Sequence, residues 1–272
     1  MEQVVLKNNT KLWLQNRPSD TSVTIVVNFR VGSRDEYKQL IGISHFIEHM
    51  MFKGTKTYPT SKILTKKLDS LGAIYNAHTS YDHTQYYIKC VSSVLHECME
   101  ILYEMLFESL MLEEDMKKEK KVVIEEINKY KDSPDSAVFE EAYKLTFQGN
   151  ELGKDIAGSI EAVKNYTKED VINYYKKYYR PENALVIICG KIDNIDKTKQ
   201  KINELFGSLK QIDKPKPIKP TNPFCVTQTK YRQSIVKRNL EQEKLMITFP
   251  LNKGILDNEI YYTLEVINNI LG

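Results

Sequence analysis

The run Gly42-Ile43-Ser44-His45-Phe46-Ile47-Glu48-His49-Met50-Met51-Phe52 decides how this chain is read. It is too rich in His, Glu and Met for a strand, and Ser44 is a capping residue, so a helix is expected over residues 43–52. On a helix, positions i and i+4 lie on one face. His45 and His49 can therefore present two imidazoles to one metal ion, while Glu48 flanks that ion without taking the same coordination position. Two neutral imidazoles and one carboxylate give zinc three protein ligands and leave a fourth position for water. A further carboxylate beside that position can move a proton.

Outward from this run, hydrophobic periodicity alternates between strand and helix. Strands are expected at 4–6 and 12–14, around an Asn8-Asn9-Thr10 turn, and at the β-branched run 23–29. A helix over 60–71 stops at Gly72, and 74–79 pairs with 85–91 around a Tyr-Asp-His turn. Helices follow at 94–110 and 113–131, the second ended by Asp132-Ser133-Pro134, because the residue before proline resists the α region. Further helices are expected at 136–147, 170–179 and 197–209, with a buried strand at 184–189. Residues 210–223 hold prolines 215, 217, 220 and 223 among lysines, the composition of a stiff linker. The tail pairs a strand at 244–249 with a helix at 257–271, like the start of a second α/β unit. Its Leu245–Gly254 is faintly similar to Thr24–Gly32, which suggests an internal repeat. The expected organisation is a domain over 1–209, a linker over 210–223, and the incomplete start of a homologous domain over 224–272.

A third ligand is needed, and the helix over 113–131 offers one. Glu125 and Glu126 both adjoin the apolar stripe Val122, Val123, Ile124 and Ile127, so either can turn inward. Glu119, two helical turns before Glu126, projects from nearly the same face. His78, His83 and His96 read as surface or strand-turn residues, with His83 able to hydrogen-bond near the site. Tyr174, Tyr175, Tyr178 and Tyr179 read as helix-to-sheet packing with wet hydroxyls. Cys90 and Cys98 read as buried thiols.

His45-x-x-Glu48-His49, followed after 76 intervening residues by Glu126, resembles the inverted zinc motif of the pitrilysin (insulinase) family. The similarity extends to Val31–Glu36, Gly42–Phe46, Met51–Thr55, Gly72–Ala77, Asp82–Tyr87 and Val122–Ile127. That family includes insulin-degrading enzyme and the mitochondrial processing peptidases. The resemblance implies an α+β fold, a mostly antiparallel sheet flanked by helices, and a zinc-dependent endopeptidase acting on extended or unfolded peptides. It implies His45, His49 and Glu126 as Zn2+ ligands, with Glu125 the competing third ligand, Glu48 as general base, and Glu119 as a carboxylate steadying the ligands. Asn76 and Ala77 would lie on an edge strand to which a peptide substrate adds as a further strand. The family's second half, a partner or a second protomer would complete the chamber and supply an Arg and a Tyr at the substrate carbonyl, so the chain alone is expected to be weak or inactive. The alternative the resemblance leaves is a non-catalytic assembly subunit.

The 272 residues are 41% hydrophobic and 28% charged, enough for a core of their own. Lys plus Arg at 39 against Asp plus Glu at 36 gives a net charge of +3, which argues against a nucleic-acid partner. No apolar run reaches the roughly 18 residues of a membrane helix. Four scattered cysteines without C-x-x-C, and an N-terminus without signal-peptide features, lead to an expected cytoplasmic location.

Overall fold

The computed structural model describes residues 1–210, 230–239, 241–249 and 258–271. The chain divides into two compact units, Met1–Asp132 with Lys154–Ile218, and Ser133–Gly153 with Lys219–Gly272.

The first unit is built on strands β1 (Glu2–Val5), β2 (Lys11–Asn16), β3 (Val23–Phe29), β4 (Ile74–Thr79), β5 (Thr84–Cys90) and β6 (Ala184–Gly190). They form a six-stranded sheet in the order β1-β2-β6-β3-β5-β4. β2 and β6 run parallel and every other neighbouring pair is antiparallel. The period of two decides which face is covered: Val23, Ile25, Val27 and Phe29 are all fully buried, as are Val186 and Ile188 on β6. Helices α1 (Ile43–Met50), α2 (Ser61–Ser70), α3 (Leu95–Phe107), α4 (Glu113–Asp132), α6 (Ile160–Asn165), α7 (Lys168–Tyr178) and α8 (Ile195–Leu205) flank this sheet. Phe29 anchors the core, with its ring against Tyr86, Phe107 and Tyr179. Thr60 caps α2 through its side chain, and Gly72, at φ +63°, follows its end.

The tyrosines of α7 differ from expectation. Tyr174, Tyr178 and Tyr179 are buried, and their hydroxyls are internal: Tyr174 meets Ser44, Tyr178 donates to Asp35 O, and Tyr179 meets Tyr86. Tyr175 donates to Leu106 O at 2.6 Å. Burial of so much ring area leaves each O–H in need of a protein partner, and α1, α3, β5 and the turn at Asp35 provide one.

The start of α1 also departs from the sequence reading. Ser44 lies inside the helix, and Gly42 is its cap. Two unpaired N–H groups at the helix start are taken by a carboxylate from the preceding segment: Glu36 Oε2 accepts from Gly42 N at 2.7 Å and Oε1 accepts from Ser44 N at 2.9 Å. Tyr166 donates its hydroxyl to Ile41 O at 2.5 Å. Gly42 and Gly158 interlock here at φ +93° and +82°. A Cβ on Gly42 would lie 2.5 Å from Ala157 O, and one on Gly158 would lie 2.2 Å from Ile41 O.

The second unit contains α5 (Pro134–Thr146), and α9 (Asn258–Leu271). Ser133 caps α5 through its side chain, with Pro134 at the first helical position. The strand expected at 244–249 is not formed. No described strand lies beside it to complete a ladder, and its anchoring is by side chains instead: Lys244 pairs with Asp135 at 3.0 Å and Thr248 Oγ1 meets Thr146 Oγ1 at 2.8 Å. All but the first residue of the expected linker, 210–223, lies outside the described residues, as does Cys225. No described helix is long and apolar enough to cross a membrane.

Gly158→Ala should lower the unfolding free energy by about 1–3 kcal/mol, because it forces a left-handed residue against the Ile41 carbonyl. Urea unfolding measures this, and an unchanged midpoint would contradict the interlock.

Candidate metal centre

α1 is only two turns long, yet it places His45, Glu48 and His49 where the side chains of α4 and β4 converge. The helical i, i+4 spacing puts the two imidazoles on one face, with His45 Nε2 and His49 Nε2 3.2 Å apart. Glu126, on α4, turns Oε2 toward both: 3.4 Å from His49 Nε2 and 3.8 Å from His45 Nε2. Among the described residues these three form the group able to hold a metal ion. Donor atoms at the usual zinc distances of about 2.0–2.1 Å in a tetrahedron lie roughly 3.3–3.4 Å from one another. The observed spacings of 3.2, 3.4 and 3.8 Å therefore fit one small divalent cation.

Glu119, two turns before Glu126 and almost fully buried, accepts from His49 Nδ1 through Oε1 at 2.8 Å. Its Oε2 pairs with Lys53 Nζ at 2.5 Å. This fixes the proton of His49 on Nδ1 and points the Nε2 lone pair at the shared centre. His45 Nδ1 is buried without a hydrogen-bond partner among the described residues, so the polar contacts of that ring are made through Nε2. Glu125, one residue from Glu126, is exposed.

The charges around the centre are strongly coupled. Burial, then the charge of His49, pulls His45 down to about 4. Burial also opposes the charge on His49, but its bonds to Glu119 and Glu126 outweigh that and lift it to about 9. The bond from His49 holds Glu126 down to about 2. Glu48 is different: burial raises it from its ordinary value, against a hydrogen bond from Thr79 Oγ1 to Oε2. Without a metal ion, the positive charge favoured on His49 thus sits beside Glu119 and Glu126, while burial favours the protonated form of Glu48.

Asn76 and Ala77 lie on β4, the last strand of the sheet, so one side of this strand has no β partner. Asn76 Oδ1 accepts from Ala77 N at 2.9 Å, which occupies an N–H of that edge. His83 stands apart from the ligand group and pairs with Asp82 at 2.8 Å. His96 meets Thr198 Oγ1 at 3.1 Å, and Cys90 and Cys98 are buried and free. Sequence reasoning missed Lys53, Thr79 and Tyr130, whose hydroxyl donates to Glu126 Oε1 at 3.0 Å. Helical i, i+4 spacing from Glu126 could have found Tyr130. Strand period two from Ala77 could have found Thr79. No comparable local signal links Lys53 to Glu119, 66 residues away in sequence.

Comparison with known proteins adds a second line of evidence. Residues 11–159 match the family described as insulinase (peptidase family M16), and residues 165–272 match the peptidase M16 inactive domain. A protein named "Uncharacterized zinc protease YmxG" from Bacillus subtilis is 33% identical over all of this chain and 64% of its own length. An "Uncharacterized zinc protease" from Rickettsia felis is 33% identical over 95% of this chain and 60% of its own length. The crystal structure of a protease from Helicobacter pylori superposes with a TM-score of 0.76 at 28% identity, over 80% of this chain and 53% of that one. This chain spans about three fifths of the length of the curated relatives it matches.

Two substitutions separate the neighbouring acids. Glu126→Gln should lower Zn2+ affinity at least about 100-fold, since it removes a charged donor, whereas Glu125→Gln should leave it unchanged. Glu119→Gln should cost about 10–100-fold by releasing His49. Competition against a chromophoric chelator measures all three, and equal losses at 125 and 126 would contradict the geometry.

Proposed function

Because this chain belongs to the insulinase family of peptidases, family M16, we propose that it is the metal-binding half of a zinc-dependent endopeptidase acting on extended peptides. The observation that supports this most is the convergence of His45, His49 and Glu126 within a single ion's reach, with Glu48 beside them. His45 Nε2, His49 Nε2 and Glu126 Oε2 would hold the zinc. When bound, the ion would supply Lewis acidity, which makes water acidic near neutral pH.

The chain's own residues do the rest. Glu119 keeps His49 in the tautomer that binds a metal. Glu48 is the general base: it takes a proton from the attacking water as the carbonyl carbon gains the water oxygen. It returns that proton to the departing amine nitrogen as the C–N bond breaks. Its raised pKa suits a group that must first hold and then release a proton. Thr79 fixes one oxygen of Glu48 and sits on β4, two residues beyond Ala77.

The edge of β4 is where the substrate is held, by main-chain hydrogen bonds with little dependence on sequence. Asn76 Oδ1, bonded to Ala77 N, stands where an incoming peptide carbonyl would be accepted. The relatives are longer than this chain, and a homologous second half, from the same polypeptide or a partner, would close the chamber and bring donors for the developing oxyanion. Retention of both histidines and all three carboxylates disfavours a non-catalytic assembly subunit.

The test is Glu48→Gln. It should bind zinc in the same stoichiometry as the parent and, with both chains supplied with the homologous second half, hydrolyse a quenched fluorescent peptide about 100-fold or more slowly, the usual scale of general-base loss. Parent-like turnover by the variant, or a parent chain that binds no zinc, would contradict the proposal.

A further inference from the structure

Each carboxylate around the centre has one oxygen engaged by a side chain other than the two histidines of α1: Glu119 by Lys53, Glu48 by Thr79, and Glu126 by Tyr130. The last contact has a geometry with chemical consequences. Tyr130 lies one turn beyond Glu126 on α4 and donates its hydroxyl to Oε1 at 3.0 Å. The histidines are faced by the other oxygen, Oε2, at 3.4 and 3.8 Å. The side chain of Glu126 is 26% exposed, so packing alone does not fix the rotation of its carboxylate.

A carboxylate can approach a cation through one oxygen or both, and a bidentate approach would fill a coordination position that catalysis needs open. We propose that Tyr130 is a positioning residue of the metal centre: by holding Oε1, it makes Glu126 a one-oxygen ligand through Oε2. An ordinary surface pair at i, i+4 would be indifferent to which oxygen it engaged. Here the oxygen held is the one that does not face the histidines. The inference rests on the reading of Glu126 as a ligand. It concerns a tyrosine that is itself 45% exposed, so its hydroxyl is separable from the fold.

The experiment uses the whole chain with Tyr130→Phe and, as a reference, Glu126→Ala. Zinc affinity is measured by chelator competition, the coordination by visible absorption of the Co2+-loaded protein, and the metal-free fold by urea unfolding. Tyr130→Phe should unfold at the same midpoint as the parent, bind zinc about 10-fold more weakly, and show a weaker cobalt absorption, as expected when the coordination number rises. Glu126→Ala should lose much more affinity. Affinity within twofold of the parent and an identical cobalt spectrum for Tyr130→Phe would overturn the proposal. A fall in its metal-free midpoint large enough to account for the affinity loss would overturn it too, because the role would then be structural. Parent-like zinc affinity in Glu126→Ala would instead remove Glu126 as a ligand, and the role of Tyr130 with it, which tells the two failures apart.

Discussion

The chemistry of this chain depends on where one eight-residue helix begins. Two imidazoles at i and i+4 share a face only while the turn between them is helical, and a helix this short does not persist alone in water. Its N-terminus is therefore held from outside: by the Glu36 carboxylate on two of its N–H groups, by Ser44 against Tyr174, and by the contact of Gly42 with the loop carrying Gly158. Residues from well before and well after α1 in sequence thus set the direction in which His45 and His49 point.

The opposing wall is α4, a longer helix whose acidic residues divide by burial. Glu119 is almost fully enclosed and acts on His49 from behind, Glu126 is half-buried and meets both rings, and Glu125 faces out. Seven residues separate Glu119 from Glu126, close to two full turns, so one stripe of the helix carries both the carboxylate that faces the two imidazoles and the one bonded to His49 Nδ1. Without a cation, the two carboxylates favour a proton on His49, and Lys53 adds a second positive charge beside Glu119. A bound metal ion would take over that balancing charge.

Much of this was legible in the sequence. The β-branched run at 23–29 declared a strand, and the periodicity of 94–110 and 113–131 declared the helices that form over Leu95–Phe107 and Glu113–Asp132, because burial on one face leaves a repeating mark. The His-x-x-Glu-His spacing was legible for the same reason: helical geometry is local. What was not legible came from contacts between distant residues. Ser44 looked like a cap because its type favours one, yet Glu36 had already satisfied the helix start. The tyrosine hydroxyls of α7 looked solvated, yet each found a partner across the core. Residues 244–249 had strand composition, but a strand also needs a neighbour, which composition does not reveal. The choice between Glu125 and Glu126 needed either family resemblance or the observed turn of α4.

The central claim is that one zinc ion is held by two imidazole nitrogens and one carboxylate oxygen, without sulfur. X-ray absorption at the zinc edge of the loaded chain tests this directly. The account predicts one ion per chain, a first shell of light atoms at about 2.0–2.1 Å, and the multiple-scattering signature of two imidazoles. A sulfur shell near about 2.3 Å, or zinc bound without imidazole scattering, would contradict it.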